Sequence, residues 1–263
     1  QEDPSFRSKI DAETGQNIIS GMGELHLEII VDRLQREFKV DCKAGKPRVA
    51  YRETITQRAD SEIRFEQILE GKEQFAFCRI SIEPLSKGVG FEFENRLSTE
   101  RLPTKFADAI EQGIRDAMSN GVIAGFSLID LKATLIAAEY NEDLSTEVVF
   151  SITGANALRE GAIKAKPILL EPSMKIEVVT PVSFTGDVIG DLNARQGRIR
   201  GMEEQGGIQV ISAEAPLAEM FGYSTRLRSL TQGRASFTMH FGHYSSVTES
   251  TRKTLSGEAS GSD

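Results

Sequence analysis

Six arginines carry the clearest chemical signal in this sequence. Arg195, Arg198 and Arg200 stand close together, Arg226, Arg228 and Arg234 follow, and no acid falls inside either run. A guanidinium grips two phosphate oxygens at once. Arginines sharing one strand face can therefore span neighbouring phosphates of a nucleic-acid backbone, a contact that senses shape and charge rather than base sequence. A pair of solubilising faces is the plainer alternative for the same residues. Other chemistry finds little support. There is no G-x-x-x-x-G-K-[ST] phosphate loop, and Gly21-Met22-Gly23 lacks the third glycine of a dinucleotide loop. His26, His240 and His243 have no partners at metal-ligand spacing. Glu24, His26 and Glu28 alternate, and helix positions two apart point about 200° from each other, so no metal is expected there. No serine occupies a G-x-S-x-G elbow. Glu203-Glu204 and Glu142-Asp143 lie in turn-like stretches, where a solvated face outweighs an acid/base pair. We expect no catalytic, cofactor-binding or metal residue in this stretch of chain.

The arginines need a scaffold, and the pattern from Pro172 to Tyr244 supplies one. Lys175–Val179 reads as a strand, and Phe184, Val188 and Leu192 fall on one helical face ending at Gly197. Arg198–Arg200 and Ile208–Ala213 flank the hairpin chemistry of Glu204-Gln205-Gly206-Gly207. Pro216 opens a helix through Leu217, Phe221 and Leu227. Ala235, Phe237, Met239 and Phe241 alternate with polar residues as a half-buried strand does. The order βαββαβ is that of a ferredoxin-like sandwich.

The opening segment repeats part of that plan: a strand at Asn17–Ser20, a helix over Glu24–Phe38 with Leu27, Val31, Leu34 and Phe38 as its stripe, and strands over 39–43 and 48–54. A whole unit needs another strand and helix before Phe6, so the chain is expected to begin inside a domain. Between them, Glu73–Pro84, Phe91–Leu97 and Leu128–Ala138 read as strands. Pro103–Met118 and Thr153–Ala165 read as helices, the second turning Ala155, Ala157 and Ala162 outward. The expected division is 1–55, 56–171, 172–247 and a disordered tail, 248–263, too poor in apolar groups to fold. The fold class is α+β throughout.

The whole-chain numbers agree with this layout. Two hundred and sixty-three residues suit two or three domains. With 39% hydrophobic and 27% charged residues the composition is that of a globular protein. The net charge of −8 argues against indiscriminate nucleic-acid binding, yet residues 172–247 hold seven basic and seven acidic groups, so a local patch survives. No apolar run is long enough to span a membrane and no secretory signal opens the chain. A cytoplasmic, monomeric protein with no membrane partner is expected. Cys42 and Cys78 lack metal-ligand spacing and read as small buried hydrophobes.

Longer strings point further. Ser20–Glu28 (SGMGELHLE), Val31–Leu34, Arg36–Phe38 and Tyr51–Thr54 closely resemble the third domain of bacterial elongation factor G. Leu169–Pro172 (LLEP), Gly186–Asn193 (GDVIGDLN), Glu219–Tyr223 (EMFGY) and Thr231–Ala235 (TQGRA) resemble its fifth. The resemblance implies a partial ferredoxin-like domain III, a domain IV of the ribosomal protein S5-like type, and a ferredoxin-like domain V. It implies the carboxy-terminal arm of a ribosome-dependent translational GTPase, itself not catalytic, which couples GTP hydrolysis elsewhere to tRNA–mRNA translocation. GTP and Mg²⁺ would serve the full-length protein, and the ribosome would be the partner through rRNA, stalk-base proteins and tRNA–mRNA. By position, Arg195, Gln196, Arg198 and Arg200 would face rRNA. His26, Ile30 and Arg33 would face the GTPase domain, a plain amphipathic edge being the alternative for Ile30. Gly125, Phe126, Tyr140 and Asn141 would form the tip of domain IV. One departure stands out: the family's basic first tip loop is matched by Phe65–Gln74 (FEQILEGKEQ), and its Tyr-His pair by Tyr140-Asn141. A paralogue specialised for ribosome recycling, or a ribosomal-protection factor, is the alternative.

Overall fold

The computed structural model describes residues 7–10, 15–20, 24–40, 45, 49–69 and 71–259. The chain divides into two compact units: an outer unit of Gln1–Ala50 with Glu171–His243, and a middle unit of Tyr51–Leu170 with Tyr244–Asp263.

The outer unit begins with strands β1 (Arg7–Ile10) and β2 (Asn17–Ser20), which pair antiparallel, and helix α1 (Glu24–Arg36). Positions 39 and 40, read from sequence as the start of a strand, form none, and 41–44 lie outside the described residues.

The middle unit starts earlier than the sequence division at 55 had it. Strand β3 (Arg52–Thr54) belongs here, set by its pairing with Ile168–Leu170 and by its buried Glu53. Next come β4 (Ala59–Leu69) and β5 (Lys72–Pro84), an antiparallel hairpin, and β6 (Phe91–Asn95). Helix α2 (Thr104–Asn120) then carries the chain over to β7 (Leu131–Glu139), which lies parallel to β6 and antiparallel to β5. Helix α3 (Glu147–Lys164) completes the layer. Period-two alternation aims Ala76, Cys78, Ile80 and Ile82 of β5 and Leu131, Ala133 and Leu135 of β7 at Ile110, Ile114, Phe150 and Leu158 of the helices. Each large apolar side chain so buried contributes roughly 1.5–3 kcal/mol. Burial also pushes the Cys78 thiol up to about 12, leaving it an inert core group.

The two helices touch backbone to backbone. A Cβ at Gly113 would overlap the Ser151 carbonyl oxygen, and one at Gly154 would stand 2.6 Å from that of Ile110. The expectation that α3 turns its alanines outward is corrected: Gly154, Ala157, Gly161 and Ala162 are buried, because close approach needs small residues at the contact.

The second segment of the outer unit follows the βαββαβ order read from sequence. It comprises β8 (Ile168–Pro181, the unit taking it from Glu171), α4 (Thr185–Ala194), β9 (Arg198–Gln205), β10 (Ile208–Pro216), α5 (Tyr223–Leu230) and β11 (Ser236–Ser246, the unit taking it as far as His243). The sheet order β11-β8-β10-β9 is ferredoxin-like. Ile176, Val178, Val188, Leu192, Ile211, Tyr223 and Leu227 form the core between sheet and helices. The helix expected to run on from Pro216 is broken. Leu217–Met220 is a single 3-10 turn, and Gly222 at φ +75° redirects the chain before α5.

The expected disordered tail is corrected over 249–259, and 260–263 lie outside the described residues. Glu249–Ala259 forms helix α6 of the middle unit. The Thr248 hydroxyl accepts the Thr251 N–H at its start, and Lys253 pairs with Glu249 one turn away.

Candidate functional site

The arginine-bearing turn is the C-terminal cap of α4. The Gly197 N–H donates to Leu192 O at 2.8 Å and the Gln196 N–H to Asn193 O at 3.0 Å, the two bonds of a Schellman closure. Gln196 takes the left-handed conformation, φ +59°, where glycine is the usual occupant. Its side-chain amide donates to Glu219 Oε1 at 3.1 Å. Gly197 is required for a different reason: a Cβ there would stand 2.6 Å from Leu192 O. The result is a fixed corner that delivers residues 195–198 from helix to strand.

Within that corner the four expected contacts do not have equal freedom. Arg195 points inward. Its Nε donates to Asp191 Oδ2 at 2.9 Å, its Nη1 to the carbonyl oxygens of Glu219 at 2.5 Å and Phe221 at 3.4 Å, and its guanidinium lies 5.2 Å from the Tyr223 ring centre. Only 19% of its side chain is exposed. Arg195, expected to face RNA, thus has its Nε and Nη1 engaged internally, on Asp191 and on the Glu219–Phe221 backbone, which ties it to the Glu219–Tyr223 segment. Arg200 is bound to Glu214 at 2.6 Å, and this bond holds the Glu214 carboxyl below its ordinary range. Two of the three arginines in the run without acids are thus neutralised, by an acid from one turn back and by one from the adjacent strand. Arg198 is exposed and, among the described residues, has no ion pair or hydrogen bond for its side chain. In the second run Arg226 shares Asp191 at 3.1 Å, Arg234 stacks 4.6 Å from the Phe184 ring centre, and Arg228 is exposed. Glu171, 4% exposed, is pushed above its ordinary range by burial and then by the nearby Glu219.

The four residues expected to form one tip are divided between the two ends of β7. Gly125 and Phe126 precede the strand and Tyr140 and Asn141 follow it. Nine residues of strand separate the ends by about 27 Å. Tyr140 packs on Phe106 with ring centres 5.6 Å apart. Asn141 Oδ1 accepts the N–H groups of Asp143 and Leu144 at 2.9 and 3.2 Å, closing a local turn that the Ser145 hydroxyl ties to Phe75 O at 2.6 Å. Phe65–Gln74, read as a counterpart of a loop, is instead mostly the β4–β5 hairpin with Leu69 opposite Lys72. These two segments meet at one end of the sheet. Residues 65–74 hold three acids and one lysine, and 139–147 hold four acids and no base. Arg64, the nearest arginine, is committed to Glu66 at 2.7 Å and Glu139 at 3.1 Å and lies 5.0 Å from the Phe75 ring centre.

On α1, Ile30 is half-buried and Arg33 is exposed and paired with Glu37 at 3.3 Å. His26 lies on the same helix, but its side chain is outside the described residues.

Comparison with known proteins decides what this assembly is. Three family models match in order: elongation factor G domain III over residues 1–46, domain IV over 47–166 and the elongation factor G C-terminus over 168–255. The chain belongs to the elongation factor G family. A solved structure of a Thermus thermophilus protein is similar at 36% identity and a TM-score of 0.88 over 100% of this chain. The present chain spans 39% of the length of that protein. The family's domain IV begins near residue 47, close to where the middle unit begins, and Tyr51–Thr54 accordingly makes its contacts with Ile168–Leu170 and with the 122–129 segment of that unit.

Sequence reasoning passed over two buried acids in this domain IV. Glu53 is fully buried and Asp130 is 6% exposed. Asp130, at φ +58°, accepts the Gly88 and Gly90 N–H groups at 3.0 and 2.8 Å and so folds the 86–90 loop back on itself. Each lies in a strand-like stretch with no acid or base at a telling interval, so nothing in the sequence marks its role.

Proposed function

We propose that this chain is the ribosome-contacting carboxy-terminal arm of a translational GTPase. In this reading it couples GTP hydrolysis to movement of tRNA and mRNA in the cytoplasm, working as a monomer. The observation that carries it is the corner of α4 and β9. A left-handed Gln196 and an internally clamped Arg195 fix a turn that leaves Arg198 free for a phosphate, the arrangement expected of a surface that reads backbone shape. The GTP and Mg²⁺ of such a protein find no phosphate loop among these 263 residues, so no step is derived through them. The contribution of this chain is positional and electrostatic.

A second reading, subunit recycling without efficient translocation, is favoured by one observation. The end of domain IV that bears Tyr140 and Asn141 is acidic, and its one neighbouring arginine is already neutralised. Acids there repel RNA phosphate. The full-length protein, assayed in parallel for ribosome-stimulated GTP turnover, tRNA–mRNA movement and subunit splitting, tests both. Stimulated turnover with movement supports the first reading and turnover with splitting alone the second, whereas no stimulation by ribosomes refutes both.

A further inference from the structure

Glu53 is a carboxylate with no exposed surface, and no lysine or arginine pairs with it among the described residues. A buried charge left so would be costly. Its compensation comes from backbone alone. Glu53 Oε2 accepts the N–H groups of Val122 at 2.6 Å and Ile123 at 2.9 Å, and Oε1 accepts those of Ala124 at 2.8 Å and Phe126 at 3.2 Å. Four donors fill the acceptor capacity of a carboxylate. Converging backbone N–H groups of this kind form an anion-binding concavity.

We propose that residues 121–126 are an anion nest, that Glu53 is its resident anion, and that Glu53 rather than the loop's own residues positions Gly125 and Phe126. Val122, Ile123 and Ala124 have no side-chain acceptor with which to fold a turn locally. Gly121 stands at φ +61°, and a Cβ there would overlap Phe126 O and come 2.6 Å from Glu53 Oε1, so the loop closes down on the carboxylate itself. The strand bearing Glu53 is tied to the segment that follows the loop, its N–H donating to Ser127 O and its carbonyl accepting from Ile129 N–H, each at 2.9 Å. The Phe126 ring packs 5.3 Å from that of Tyr51. A displacement of β3 therefore carries the loop with it, and any partner that touches Gly125–Phe126 meets a surface set from within. This inference is independent of the ribosomal reading.

Amide hydrogen exchange on the full-length protein tests it. In the native protein the N–H groups of Val122, Ile123, Ala124 and Phe126 exchange slowly for a loop. Glu53→Gln replaces one acceptor oxygen by a donor, and at least two of the four amides exchange about 10- to 100-fold faster, the loss expected for a hydrogen bond to a charged group. Glu53→Ala empties the nest, and added formate or acetate, but not chloride at equal ionic strength, restores protection. If Glu53→Ala fails to fold, recovery of the fold by the same carboxylates is the readout. Unchanged protection of all four amides in Glu53→Gln overturns the proposal, as does rescue by carboxylate no better than by chloride.

Discussion

Asp191→Ala tests whether Arg195 is an internal strut. Asp191, 11% exposed at its side chain, holds Arg195 at 2.9 Å and Arg226 at 3.1 Å. The two limbs differ in burial, since 19% of the Arg195 side chain is exposed against 55% for Arg226. An exposed ion pair contributes about 0–1 kcal/mol, and a hydrogen bond between charged, desolvated groups about 1.5–3 kcal/mol. Removing Asp191 therefore costs about 2–3 kcal/mol, nearly all through Arg195, whereas Arg226→Ala costs about 0.5 kcal/mol. Denaturant unfolding of the single variants, and of Asp191→Ala combined with Arg195→Ala, measures both limbs and their coupling. A coupling of about 1.5 kcal/mol or more is expected. Strict additivity, or equal costs for Asp191→Ala and Arg226→Ala, would refute the strut and return Arg195 to the surface.

Gly113→Ala forces α2 away from the Ser151 carbonyl and is expected to destabilise the middle unit by about 3 kcal/mol, read by thermal unfolding; a loss under about 1 kcal/mol would mean that the helices part easily. Glu171→Gln removes a carboxyl whose folded-state pKa is raised by burial. Its native form binds protons more readily than the unfolded chain, so its charge costs stability as pH rises above the ordinary carboxylate range. The variant is expected to melt higher than the native protein at about pH 7 and to lose that advantage near pH 4; a constant difference across that window would contradict the assignment. Asn141→His removes the acceptor of two turn bonds and is expected to cost about 1 kcal/mol in denaturant unfolding, a neutral result showing that the turn stands without them.

Much of the fold was legible because periodicity and punctuation agreed. The strict alternation of Phe237, Met239 and Phe241 and the Gly206-Gly207 turn marked β11 and the β9–β10 hairpin at their observed places. Strand β4 shows what went unread. Its Ser61, Ile63 and Phe65 alternate with Asp60, Glu62, Arg64 and Glu66, a half-buried strand in plain view, yet no strand is read from the sequence between Thr54 and Glu73. The site was less legible than the fold, since partners decide which arginines are available. Asp191 sits four residues before Arg195 on one helical face, so that clamp could have been found from spacing alone. Glu214 meets Arg200 only through the sheet register, which shifts at Ser212/Ala213, and no spacing rule reaches it. Likewise Gly125–Phe126 and Tyr140–Asn141 were grouped by resemblance, and only the direction of β7 separates them.

The salt dependence of ribosome binding by the full-length protein, compared between the native form and Arg198→Ala, bears most directly on the proposed function. The slope of log K against log salt concentration is expected to become shallower by about one, because a single arginine–phosphate interaction is removed. An unchanged slope at lower or equal affinity would show that the corner between α4 and β9 meets no phosphate.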